Sequence, residues 1–143
     1  MATINTYLHS DGNTEEAFNF YKSVFGGEFA VFQRYSDVSG QPGCHQMEES
    51  EKEKIMHVSL PIGKDNVLMG TDSVKSMGHQ LLVGNNFSVS VSTESKEETE
   101  KIFKGLSEGG QVTMPLADTF WGAYFGMCKD RFGVQWMVSN ENR

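Results

Sequence analysis

The sequence predicts an α+β fold: one domain, residues 1–143, of two tandem βαβββ modules over 1–73 and 84–143, joined by a linker at 74–83. Three observations carry this. Residues 14–27 (TEEAFNFYKSVFGG) and 96–110 (KEETEKIFKGLSEGG) resemble each other, each opening near paired glutamates and closing on a glycine pair. Each is preceded by one strand pattern and followed by three more. An order of elements met twice is the mark of an internal repeat.

In the first module, TINTYLHS at 3–10 is the opening strand. A helix is expected near 13–25, because Ala17, Phe20, Tyr21 and Val24 recur at the spacing of one helical face. Asn13 stands at the N-cap, Glu15 and Glu16 fall in the first turn where the helix dipole favours negative charge, and Gly26-Gly27 supplies a left-handed stop. Strands follow at EFAVFQRYS (28–36), IMHVSLPIG (55–63) and NVLMGTD (66–72). Between the first two of these, residues 39–54 are polar, contain Gly and Pro and end in mixed charge; they read as a long solvent-exposed loop, with a lid as the functional alternative.

In the second module, NFSVSVST at 86–93 sets Phe87, Val89 and Val91 against Ser88, Ser90 and Ser92, the alternation of a strand with one apolar and one polar face. A helix is expected near 95–107, capped by Ser95, with Thr99, Ile102, Phe103 and Leu106 on one stripe. QVTMPL (111–116), WGAYFGMCK (121–129) and GVQWMVS (133–139) complete the strands. Aligning Glu15-Glu16 on Glu97-Glu98 places Tyr21 on Phe103.

Bulk composition narrows the partners. At 143 residues, 38% hydrophobic and 11% aromatic, the chain can fill a packed core and is unlike a disordered one. A formal net charge of −7 would repel nucleic acid and anionic membrane, so neither is an expected partner. The N-terminus MATINTYLHSDGN has no basic start and no long apolar stretch, and no run approaches the ~20 residues of a membrane helix, which leads us to expect a cytoplasmic protein. Cys44 and Cys128, far apart and not in a C-x-x-C pair, read as free thiols in a reducing compartment.

With the repeat established, the chain resembles the PhnB-like branch of the vicinal oxygen chelate superfamily, which includes glyoxalases, extradiol dioxygenases and bleomycin-resistance proteins. The resemblance rests on Tyr7-Leu8, EEAFNFYKSVFGGE, His57 in IMHVSLPIG, LMGTD at 68–72 and WGAYFGMCKDRFGVQW at 121–136, where Trp121-Gly122, Asp130, Gly133 and Trp136 come in order. It implies paired modules forming a cupped mixed sheet, a small-molecule site in the cup, and a homodimer. The branch often carries a 3-demethylubiquinone 3-methyltransferase label, yet this chain has no Gly-rich strand-to-helix loop for S-adenosylmethionine.

Metal-using relatives place a His or other donor on the first strand of each module and a Glu on the last, so that donors converge on a divalent ion. Counting back from Tyr21 gives Thr6, and from Phe103 gives Ser88; the glutamate position falls on Met137, and on Gly70 or Met69 in the first module. A hydroxyl binds divalent ions weakly and a thioether prefers soft metals, so no metal and no other cofactor is expected. Other donor sets are thin. His9 and Asp11 read as a polar turn, the adjacent Cys44 and His45 would face opposite ways in a strand, and His79 is expected to be solvated in the linker.

The pocket-lining candidates are Thr6, His57, Ser88, Trp121, Tyr124, Gln135 and Met137. His57 lies between Met56 and Val58 and so faces away from both; on a concave face it would be a general base or hydrogen-bond anchor near neutral pH. Tyr124 falls opposite His57 when Val67 is aligned on Val134, and Trp121 offers a stacking ring. Gln135 and Met137 share a face, with Trp136 turned beneath a helix, while Asp72 reads as a turn residue. No catalytic residue is assigned. These residues point to binding of a small, partly aromatic or hydrophobic compound without a metal centre. The alternatives are a metal-dependent lyase, isomerase or dioxygenase with an atypical ligand set that includes His57, and a structural dimer without a ligand.

Overall fold

The computed structural model describes residues 2–38 and 48–141. The chain divides into two units, Met1–Leu82 and Val83–Arg143. In the first, β1 (Thr6–Ser10) leads into α1 (Thr14–Phe25), followed by β2 (Val31–Arg34), α2 (Glu49–Lys52), β3 (Ile55–Ile62) and β4 (Asn66–Asp72). In the second, β5 (Val89–Ser92) leads into α3 (Lys96–Ser107), followed by β6 (Gln111–Asp118), β7 (Ala123–Lys129) and β8 (Gln135–Glu141). The strand orders are β1-β4-β3-β2 and β5-β8-β7-β6. In each sheet the first strand runs parallel to the last and the other neighbours are antiparallel. This is the α+β arrangement of repeated βαβββ modules expected from the sequence.

Each sheet packs one face on its helix, and two glycines reveal which. A Cβ on Gly70 of β4 would collide with the Phe18 ring of α1, and one on Gly126 of β7 would lie 2.9 Å from Leu116 Cδ2 of β6 and 3.0 Å from the Phe103 ring of α3. Gly70 pairs with Val58 and Gly126 with Val138, so each glycine makes a hollow for a phenylalanine on a corresponding rung, but on opposite strands of it. Leu8 and Val58 are buried on the helix side of the first sheet, and Trp136 and Val138 on that of the second. Side chains alternate along a strand. Tyr7, His9, His57 and Met69 therefore lie on the other, open face of the first sheet, with Thr71 in phase with them but buried, and Ser90, Phe125, Met127 and Met137 on that of the second.

Several expectations are corrected here. The buried helix positions are Thr14, Ala17, Phe18 and Tyr21 in α1, and Thr99, Phe103 and Leu106 in α3, so Phe18 rather than Tyr21 corresponds to Phe103. Phe20 and Val24 are only half-buried. Asn13 makes no side-chain cap, whereas Ser95 accepts the Glu98 N–H at 3.1 Å as expected. The cap of α1 comes from Asp72, which is buried and far more than a turn residue. Its carboxylate accepts the N–H groups of Gly12 (3.1 Å), Thr14 (3.0 Å) and Ile55 (2.8 Å), tying the β1–α1 junction to the start of β3.

The expected loop at 39–54 contains the one-turn helix α2, formed through a reciprocal capping box of Glu48 and Glu51. Glu51 is buried and also accepts the Ser76 N–H, anchoring the chain beyond β4. The rest of that loop, residues 39–47 with Cys44 and His45, lies outside the described residues. His79 is exposed, and its Nδ1 accepts the Val74 N–H at 3.0 Å. No helix among the described residues is long and apolar enough to cross a membrane.

Candidate functional site

On the open face of the first sheet, the Tyr7 hydroxyl and His57 Nδ1 share a hydrogen bond of 2.9 Å. β1 and β3 carry these two residues on either side of β4, whose Met69 pairs with Tyr7. The Tyr7 ring also lies 5.4 Å from that of His9 and 5.5 Å from that of His57, centroid to centroid. His9, read as part of a polar turn, is thus a member of β1 exposed on this face. Beside the group, the Tyr35 hydroxyl donates to the Asp72 carbonyl at 2.8 Å, and the Thr71 hydroxyl donates to the Met56 carbonyl at 2.6 Å.

Burial and then the neighbouring Tyr35 push the Tyr7 phenol above its ordinary pKa, against a smaller opposing effect of Thr71. Tyr7 is therefore a neutral phenol at physiological pH. Where its proton points at Nδ1, the His57 proton sits on Nε2 and is free to meet a bound acceptor. Tyr7 is the residue of this cluster whose role was missed in the sequence. The usable signal was His57 itself, since a strand histidine with an aromatic on a nearby strand invites such a pair.

The open face of the second sheet is different in kind. Its register pairs Ser90 with Met137, Met137 with Met127, and Met127 with Met114, which sets three thioethers side by side across three strands. On the next rung Phe125 lies between Ser139 and Ala117. The Trp121 ring, 59% exposed, meets that of Phe125 edge-on at 6.0 Å. Gln135 shares this face with Met137, as expected, but its amide donates to the Phe87 carbonyl at 2.6 Å. Trp136 turns to the helix side, where its indole N–H donates to Asp130 at 2.8 Å.

Two candidates move. Tyr124 lies on the helix side of β7, its hydroxyl donating to Glu100 of α3 at 3.1 Å and its ring under Lys96 Nζ. Burial, and then that carboxylate, raise its phenol. The position corresponding to His57 is held by Phe125, because the correct alignment is one residue away, and a one-residue slip reverses a strand's faces. Thr6 is in phase with Leu8 on the helix side, whereas Ser88 precedes β5 in phase with Ser90 on the open face. The two are not equivalent. The equivalent first-strand pair is Tyr7 and Ser90, since Tyr7 pairs with Met69 and Ser90 with Met137; this also selects Met69 over Gly70.

The positions where metal-using relatives carry donors thus hold a phenol, a hydroxyl and two thioethers. Among the described residues no group of three or more His, Cys, Asp or Glu side chains is placed to hold a metal ion. This donor set does not fit a divalent ion. Nor does the β1–α1 junction fit an S-adenosyl group or a phosphate, because the buried Asp72 carboxylate already occupies it, accepting the Gly12 and Thr14 N–H groups.

The family profile described as 3-demethylubiquinone-9 3-methyltransferase matches residues 2–139. Protein PA1353 of Pseudomonas aeruginosa is 38% identical, with a TM-score of 0.85 over 100% of both chains. The PhnB protein of Bacillus cereus is 26% identical, with a TM-score of 0.75 over 97% of this chain and 99% of its own. A glyoxalase/bleomycin resistance protein/dioxygenase family enzyme of Burkholderia phytofirmans, 16% identical with a TM-score of 0.56 over 96% and 98%, shares the fold. Repeated βαβββ modules, the ordered tail motif and this profile agree: the chain belongs to the 3-demethylubiquinone-9 3-methyltransferase family, the PhnB-like branch of the glyoxalase/bleomycin-resistance/dioxygenase fold.

Proposed function

We propose that the protein binds a small, partly aromatic or hydrophobic molecule on its open sheet faces, without a metal centre. The observation that carries this reading is the Tyr7–His57 hydrogen bond on the open face of the first sheet. A polar pair held on two strands of a hydrogen-bonded sheet, with the His9 ring beside it, offers a preorganised anchor at little cost in side-chain entropy. The family's methyltransferase description is not matched by a cofactor cradle among the described residues, and Tyr7, Ser90, Met69 and Met137 favour binding over Lewis-acid chemistry.

Screening neutral and aromatic compounds against the untagged protein, by thermal shift and then by NMR of the histidine rings, tests this. Ligands are expected to move the His57 resonances, and Tyr7→Phe and His57→Ala are expected to weaken binding about tenfold, as for loss of one hydrogen bond. A panel that binds both variants as tightly as it binds the unsubstituted protein would remove the site from this face. Elemental analysis of the same sample is expected to find no stoichiometric transition metal; near one equivalent of zinc, nickel or manganese would reverse the metal-free reading. We also place the protein in the cytoplasm as a homodimer, for which light scattering should give twice the 16.0 kDa chain mass. The mass of one chain at micromolar concentration would exclude the dimer.

A further inference from the structure

The open face of the second sheet has a chemistry of its own. We infer that it takes an uncharged, planar aromatic compound with a hydroxyl or carbonyl edge; this rests on the small-molecule reading above and names the class of ligand.

The argument starts from what the face lacks. Between Lys129 at one end of β7 and Glu141 at the end of β8, the paired residues on this face carry no charge. An ion laid there would lose hydration without a counter-charge, at a cost of several kcal/mol. A neutral ligand would not.

What the face offers is soft and flat. Met114, Met127 and Met137 form one continuous row, and a thioether gains more from the face or edge of an aromatic ring than from a saturated one. Trp121 stands at the rim as an exposed ring already set edge-on to Phe125, the geometry in which a further ring can be flanked. From Met114 across to Ser90 the row crosses three strand intervals, about 14 Å at the usual strand spacing, which matches a fused system of two or three rings.

The far edge of the row is polar. Ser90 is exposed beside Met137, and Ser92 and Ser139 are paired on the next rung. A serine hydroxyl both donates and accepts, so this column suits a neutral hydroxyl or carbonyl. A purely hydrocarbon ligand would offer those hydroxyls no partner.

1-Naphthol, the saturated decahydro-1-naphthol and the 1-naphthoate anion serve as probes, read by 13C-methyl resonances of the methionines and by Trp121 fluorescence. 1-Naphthol is expected to shift the methyls of Met114, Met127 and Met137 together, and to bind about tenfold more tightly than either analogue. Trp121→Ala, an exposed substitution that leaves the core untouched, is expected to weaken it by a similar factor. Equal binding of naphthoate or of the saturated alcohol would overturn the assigned class. Shifts at His57 with none at the three methionines would overturn this inference and leave small-molecule binding in place on the first sheet, whereas no response at either face would remove both. Methyl shifts that depend on protein concentration without any probe would mean that a second copy covers the face, which also overturns it.

Discussion

Asp72 and Asp130 do similar work in the two units: each is a buried carboxylate that accepts from neighbouring N–H groups. Asp72 takes the N–H groups of Gly12, Thr14 and Ile55, and Asp130 those of Phe132, Val134 and the Trp136 indole. Removing one such acceptor leaves several buried donors unpaired, so Asp72→Ala is expected to cost about 3 kcal/mol or more in urea unfolding. A change below about 1 kcal/mol would mean that water replaces the carboxylate. Asp72 could not be read correctly from the sequence, because Gly12 and Thr14 lie about sixty residues away and only folding brings them to its strand end. Cys128 gives a second prediction. Burial, and then Asp130, push its thiol up to about 11, from an ordinary 9.0. The unfolded thiol ionises first, so this residue's contribution favours folding below pH 9 and is lost as pH rises from about 9 to about 11. In a Cys44→Ser background, Cys128 is expected to resist a thiol reagent at pH 8 until the protein is unfolded. Labelling at the rate of a free cysteine would contradict its burial.

Among the elements, the strands were legible because their patterns are strong: Val89 and Val91 against Ser88, Ser90 and Ser92 leaves little choice of face. The helices were legible in place but not in register. Paired glutamates and terminal glycines align α1 with α3 in one way, whereas the buried faces align Phe18 with Phe103. A helix hides such a slip, since residues three and four apart share a face. A strand does not, since an odd slip exchanges its two sides. That is why Thr6 and Tyr124 were placed on the wrong face while His57, judged from its own neighbours, was not. The packing itself is testable. A methyl group on Gly70 meets the Phe18 ring, so Gly70→Ala is expected to destabilise the first unit by about 1–3 kcal/mol. Adding Phe18→Leu should recover part of that loss in the double variant. Two independent, additive costs would place the Phe18 ring elsewhere.

For the molecule as a whole, the repeat made the architecture readable from one chain, while the stretch of chain that joins the modules carried no pattern to read. Leu82, Val83 and Phe87 are large, apolar and 86%, 69% and 63% exposed, in a stretch without helix or strand. Chymotrypsin at low ratio is therefore expected to cut after Leu82 or Phe87 before it cuts within α1 or α3, as mass spectrometry of the first fragments would reveal. First cuts inside either helix would mean that this stretch is protected. The placing of the two glycines has a consequence for how such a chain can vary. The hollow that receives the α1 ring is in the last strand of its sheet, and the hollow that receives the α3 ring is in the strand before the last. Grafting α3 onto the first sheet would bring its phenylalanine down toward Val58, where no vacancy exists. Each helix is keyed to its own sheet, and a chain that repeats itself in outline can no longer recombine with itself.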